Sequence, residues 1–303
     1  MLSASLFRRV AFLTALFAYL QIALGGVVRV SGSGLGCPDW PLCHGRPYPP
    51  ADIHSIIEYS HRTVGTITGV LIIVTVVLAW LVFRNTRPLV AWLATASLVG
   101  VAAEGGLGGL VVAKQLAPWL VLVHLGLAML IIGVLLATAI MSLPETGGIR
   151  EPAFVRMLAA AAAATYVMLL TGSTVVASGA DSMCRSWPLC GGGFAPDFSG
   201  ANVFTMLHRG AVLVVGLFIG YALSKALKQP GLRPVAMATL IVFTLQVAVG
   251  AGAALTDSGL FNGLHVAIAT LVWSGVLATV LLTAPRADRA AALSTVSTGK
   301  STA

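Results

Sequence analysis

Charge is scarce in this sequence. Asp, Glu, Lys and Arg together make 9% of the 303 residues, while 57% are hydrophobic. Soluble domains carry about 25% charged residues, so a chain this poor in charge cannot be wetted on all sides. A single basic patch is also lacking. The net charge of +8 is spread over short segments between apolar runs, which excludes a nucleic-acid-binding face. A cleavable leader is not expected. Arg8 and Arg9 precede an apolar run that reaches about Val28, too long for a signal-peptide core. The segment before it is too short for an Arg- and Ser-rich transit peptide. The four cysteines form no C-x-x-C pair, which argues against thioredoxin-like chemistry. No compact third and fourth ligand accompanies any histidine pair, so zinc is disfavoured.

What the sequence does have is apolar length. A helix needs about 20 apolar residues to cross a bilayer. Eight runs qualify, near 10–28, 62–83, 89–112, 118–142, 157–178, 207–224, 235–255 and 261–284. These predict an all-α integral membrane protein. Its eight transmembrane helices form two parallel tandem four-helix bundles related by a pseudo-two-fold axis. The N-terminal bundle takes residues 1–148 and the C-terminal bundle 149–285. The tail 286–303, rich in Ser, Thr and Ala, reads as disordered and cytoplasmic. Twelve Lys and Arg residues fall on the side of both termini and six on the other. By the positive-inside rule both termini are cytoplasmic. The long loops 29–60 and 179–206 then face outside a cell membrane.

The two-bundle reading rests on an internal repeat. Cys37-Pro-Asp-Trp-Pro-Leu-Cys43 matches Cys184-Arg-Ser-Trp-Pro-Leu-Cys190, and His61-Arg62 matches His208-Arg209, all at an offset of 147. Glu104-x-x-x-Gly108 resembles Gln246-x-x-x-Gly250, and His124 resembles His265, at offsets of 142 and 141. Gln21-x-x-x-Gly25 in the first run has the same form. Four spans per unit, an even number, make the repeats parallel and not inverted.

Histidines inside a membrane are costly and usually line a site. His61 and His208 are expected to open their helices, with His124 and His265 about six residues inside theirs. A histidine on each of two bundle helices can hold a metal between them, and haem takes axial imidazoles. A lone histidine is better read as an interhelical hydrogen bond, but a pair duplicated in both halves favours haem. Arg62 and Arg209 suit haem propionates. Arg29 fits that role and plain interfacial snorkelling equally well. Outside a cell the cysteines should form disulfides, Cys37–Cys43 and Cys184–Cys190. Whether these are structural or redox-active stays open. Glu58, three residues before His61, has Thr205 at its matching position. A carboxylate near one metal site only suggests that one half reacts while the other holds a cofactor. Glu104 reads first as a hydrogen-bonded interhelical contact beside Gly108. His44 and His54 read as solvated loop residues, and Trp40 and Trp187 as interfacial anchors or packing for the cysteine loops.

Gly25 to Gly34, then Cys37 to Gly45, then Glu58-Tyr59-Ser60-His61-Arg62 resemble the haem A synthase family, in its bacterial cysteine-containing form. The resemblance covers roughly 10–284. It implies oxidation of the C8 methyl group of haem o to a formyl group, giving haem a, by successive hydroxylations. It implies that His61 and His124 hold the substrate haem, with Glu58 beside it, and that His208 and His265 ligate a resident haem b. It assigns the functional role to Cys37 and Cys43 and the structural one to Cys184 and Cys190. Implied partners are haem o synthase (a farnesyltransferase), cytochrome oxidase assembly factors, a membrane electron donor and the lipid bilayer, with a homo-oligomer left open and no nucleic acid. Three other readings compete. A quinone-linked disulfide oxidoreductase leaves four histidines idle. A b-type cytochrome leaves Glu58 unexplained. A transporter would carry more intramembrane charge.

Overall fold

The structure, a computed structural model, describes residues 3–144, 146, 148–192, 194–256 and 258–286. Eight long helices carry the fold: α1 (Ala4–Val30), α2 (Ile53–Phe83), α3 (Pro88–Ala113), α4 (Pro118–Met141), α5 (Pro152–Ala177), α6 (Asn202–Ala226), α7 (Arg233–Thr256) and α8 (Gly259–Leu281). All eight are long and apolar enough to cross a membrane. The shortest has 23 residues. At 1.5 Å per residue it reaches about 35 Å, enough for a hydrocarbon core of about 30 Å. Large apolar side chains such as Val99, Val214, Leu217 and Ile241 lie more than half exposed. Lipid is the solvent those faces require.

Local chemistry sets the helix starts. Ser3 caps α1 by accepting the Leu6 amide, and Asp52 caps α2 by accepting the Ser55 amide. Proline opens α3, α4 and α5, where its missing N–H costs nothing. Several helices run longer than their apolar cores. The apolar run of α2 begins at 62, but the helix begins at Ile53. Hydropathy measures how much chain avoids water, whereas the Asp52 cap decides where winding starts. His61 therefore lies two turns inside α2 and does not open it. His208 is likewise well inside α6, which starts at Asn202.

Consecutive helices pair as α1/α2, α3/α4, α5/α6 and α7/α8. α1 also meets α4 and α5 meets α8. Across the middle, α1 packs on α8 and α4 on both α5 and α8. One apolar core runs through this centre, with Ile22, Ile72, Leu135, Leu158, Ile219, Val272 and Trp273. Trp273 Nε1 donates to Met129 O at 2.8 Å, joining α8 to α4, and its ring lies 5.6 Å from that of Tyr166. Tyr166 in turn donates to Gly126 O at 3.1 Å. The two cysteine loops share one end of the bundle, where Arg29 of α1 pairs with Asp181 at 2.8 Å. At the other end, Thr146 bridges Arg286 and the Ile149 amide donates to Thr283 O, tying the α4–α5 connection to the end of α8. The tail expected to be disordered falls, after Arg286, outside the described residues.

Two expectations follow. Trp273→Phe keeps an aromatic ring but loses the hydrogen bond to Met129 O, and should cost about 1 kcal/mol, read as a lower thermal midpoint in detergent. Asp52→Ala should lower that midpoint too, and its effect should depend on pH. The Ser55 amide, then the Ser55 hydroxyl, hold the Asp52 carboxyl below its ordinary value of 3.8. A depressed carboxyl stabilises the fold above its unfolded value and loses that contribution as pH falls through the folded one. The difference between wild type and Asp52→Ala should therefore shrink below about pH 3.8. A constant difference would assign the effect elsewhere.

Candidate functional site

Each of the four repeat histidines meets the helix before it in the same way. A polar side chain touches the imidazole, and a glycine nearby leaves room for the ring. His61 of α2 has its Nε2 3.2 Å from Gln21 Nε2 and packs on Gly25, both in α1. His124 of α4 has its Nδ1 3.0 Å from Glu104 Oε1 and packs on Gly108, both in α3. His208 of α6 has its Nδ1 2.9 Å from Thr171 Oγ1 and packs on Gly172, both in α5. His265 of α8 has Gln246 Nε2 3.1 Å from its Nδ1 and packs on Gly250, both in α7. A Cβ at Gly250 would come within 2.8 Å of His265 Cε1, so only glycine lets that ring lie where it does. The polar-x-x-x-Gly pattern was visible in three of these helices. In α5 the polar position is Met168, and Thr171 takes over from one residue before the glycine. Gly172 could have been found as the repeat partner of Gly25 at offset 147.

The histidines gather in twos, within each half. His61 and His124 interact electrostatically, as do His208 and His265. Among the described residues no group of three or more His, Cys, Asp or Glu side chains is placed to hold a metal ion. Two imidazoles within interaction range of each other suit a metal whose equatorial positions are already filled, as in a metalloporphyrin. The polar atoms around them support that fit. Among the described residues, His61 Nδ1, His124 Nδ1, Gln21 Oε1, Glu104 Oε2 and Gln246 Oε1 are buried without hydrogen bonds. An unsatisfied buried polar atom costs about 1–3 kcal/mol, so these positions are built to meet something polar or metallic.

The cysteine loops lie over these pairs. Cys37–Cys43 and Cys184–Cys190 are both disulfide-bonded. The first loop is fixed to α2 by a buried ion pair. Glu58 accepts the Cys37 amide at 2.8 Å through one oxygen and pairs with Arg62 through the other. Arg62 also donates to Asp39 O at 2.6 Å, Leu42 O at 2.5 Å and Cys37 O at 2.9 Å. Its guanidinium is thus engaged with the loop through three backbone carbonyls. Trp40 from the same loop packs on Gly109 of α3, one residue from the glycine beneath His124. Asp39 closes the loop by accepting the His44 and Gly45 amides, with the Gly45 bond the main force holding its carboxyl below the usual range.

The second loop is held differently. Thr205 replaces Glu58, and its buried hydroxyl has no partner. Arg209 makes one hydrogen bond among the described residues, to Pro188 O at 3.0 Å. Arg209 therefore keeps donors in reserve that Arg62 has spent. Arg29 pairs with Asp181. His44 and His54 are not simply solvated: His44 Nε2 lies 3.0 Å from Gly36 O, and His54 Nδ1 lies 3.0 Å from Ser33 Oγ.

Comparison with known proteins places the chain in a family. The family described as cytochrome oxidase assembly protein, COX15-CtaA, matches residues 8–56 and 51–277. A protein named heme A synthase from Symbiobacterium thermophilum is 30% identical over 286 residues, covering 89% of this chain and 92% of its own. Another so named from Geobacillus thermodenitrificans is 29% identical over 298 residues, covering 91% of each. A third, from Shouchella clausii, is 30% identical over 221 residues, covering 70% of this chain and 73% of its own. Spanning nearly the whole length and both histidine pairs, these matches leave one assignment: the chain belongs to the COX15-CtaA family of cytochrome oxidase assembly proteins.

Proposed function

We propose that this membrane protein is a haem A synthase, which oxidises the C8 methyl group of haem o to the formyl group of haem a. The observation that carries this reading is the set of four imidazoles, paired two per half and each steadied by the preceding helix. The first half, 1–148, takes the substrate. His61 and His124 hold its iron, with Gln21 and Glu104 fixing the two ring planes. The second half, 149–285, takes a resident haem b through His208 and His265, oriented by Thr171 and Gln246. Bound there, haem b supplies one-electron transfer to the substrate half. Arg209, with donors to spare, is the residue suited to a propionate of that haem.

Glu58 gives the first half its chemistry. It is buried, lies one turn before His61 on α2, and has no carboxylate counterpart in the second half. Each hydroxylation fed by electrons from a donor takes up protons, and Glu58 can hold and pass one at the carboxylate that otherwise pairs with Arg62. Its bond to the Cys37 amide also fixes the disulfide loop above the substrate half, so Cys37–Cys43 is the pair closest to the reaction. The arrangement acts in a cell membrane. Both termini are cytoplasmic and the cysteine loops lie outside, as the excess of Lys and Arg on the terminal side supports. Haem o synthase supplies the substrate, oxidase assembly factors receive the product, and a membrane electron donor completes the cycle.

Glu58→Gln should keep the haem of the second half and lower haem a output about a hundredfold or more. Chromatography of haems extracted after co-expression with a haem o supply measures this, and wild-type output would remove Glu58 from the chemistry. His208→Ala and His265→Ala should each lose the resident haem. Undiminished haem b in both purified variants would show that the ligands lie elsewhere.

A further inference from the structure

We infer that Glu104 is a positioning residue that presents His124 to iron. The inference rests on the first half being the substrate-haem half. Nothing in the repeat demanded a carboxyl here, since the matched residue is Gln246 and the first helix uses Gln21. Yet Glu104 lies mid-span in α3, is only 14% exposed at its side chain, and comes within 3.0 Å of His124 Nδ1. Among the described residues, neither its other oxygen nor His124 Nδ1 has a hydrogen bond. A neutral imidazole carries one N–H. A small turn of the ring on binding iron would bring that hydrogen, at Nδ1, onto Glu104 Oε1 and leave the lone pair on Nε2, the nitrogen free to bind iron. A ligating histidine almost always gives its other N–H to such an acceptor, which fixes the tautomer and the ring plane.

The second half contains an internal precedent. Thr171 donates its hydroxyl hydrogen to Met168 O at 2.7 Å, so toward His208 Nδ1 at 2.9 Å it can only accept. His208 is thereby set with Nε2 free, by the same logic and through a different residue. The remaining two imidazoles, His61 and His265, face the amide nitrogens of Gln21 and Gln246 instead. Each half therefore holds one histidine whose Nδ1 meets an oxygen acceptor and one that meets a glutamine amide. In the substrate half the oxygen-backed ligand is His124, and His61 is the more easily exchanged of the two. Gly108 lies beside this ring, a Cβ there being 3.4 Å from His124 Cε1, an ordinary contact.

The test compares wild type, E104L and E104Q as full-length proteins purified from cells supplied with haem o. Haem content and electron paramagnetic resonance of the oxidised protein are measured. Wild type should show two low-spin haems, each with two imidazoles. E104L should convert one of them to a high-spin, singly ligated form, held about tenfold to a hundredfold more weakly, and leave the other unchanged. E104Q retains a carbonyl acceptor and should restore both low-spin signals. The inference is overturned if E104L keeps both signals at wild-type haem content. It is equally overturned if E104L loses both haems together, or if E104Q fails to rescue. A wild-type chain that binds no haem overturns the functional reading itself, and this inference with it.

Discussion

A polar side chain within a bilayer has no water to turn to, and the architecture of this protein follows from that constraint. Four imidazoles, two glutamines, two glutamates and two arginines of the two sites lie within the helices, and each lies against another group of the protein. The imidazole contacts are all between sequential helices. That is why the fold is organised as helix pairs, and why a glycine sits at each crossing where a ring must approach the next backbone.

The same constraint explains how two copies of one plan came to differ. In the first half a carboxylate and a guanidinium neutralise each other and grip the loop through three backbone carbonyls and one amide. Removing one partner of such a buried pair costs about 3–5 kcal/mol, so the first loop is tightly fixed over its histidines. In the second half a threonine leaves the arginine with one loop carbonyl. Rigidity over the first pair and spare donors over the second are the clearest physical differences between the halves.

Much of this was legible in the chain. The apolar runs located eight spans because length and hydropathy alone decide what crosses a membrane. The offset of 147 located the repeat, and the histidines stood out because intramembrane imidazoles are rare. Other features were not legible. The early start of α2 depends on one cap, Asp52, outside the apolar run. The grip of Arg62 on its loop was hidden, since sequence shows its charge but not the carbonyls of a loop that folds back onto it. Thr171 hid because it stands one residue before its glycine instead of four, in the place of a methionine that offers no hydrogen bond.

The hydrogen bond from Trp273 to Met129 has one further consequence. The residue matching Trp273 in the first half, at the offset of 141 that relates the paired histidines, is Ile132, which has nothing to donate. The contact between the halves is therefore directional. Two copies of the first half placed side by side could not form it. At this bond the two halves are not interchangeable.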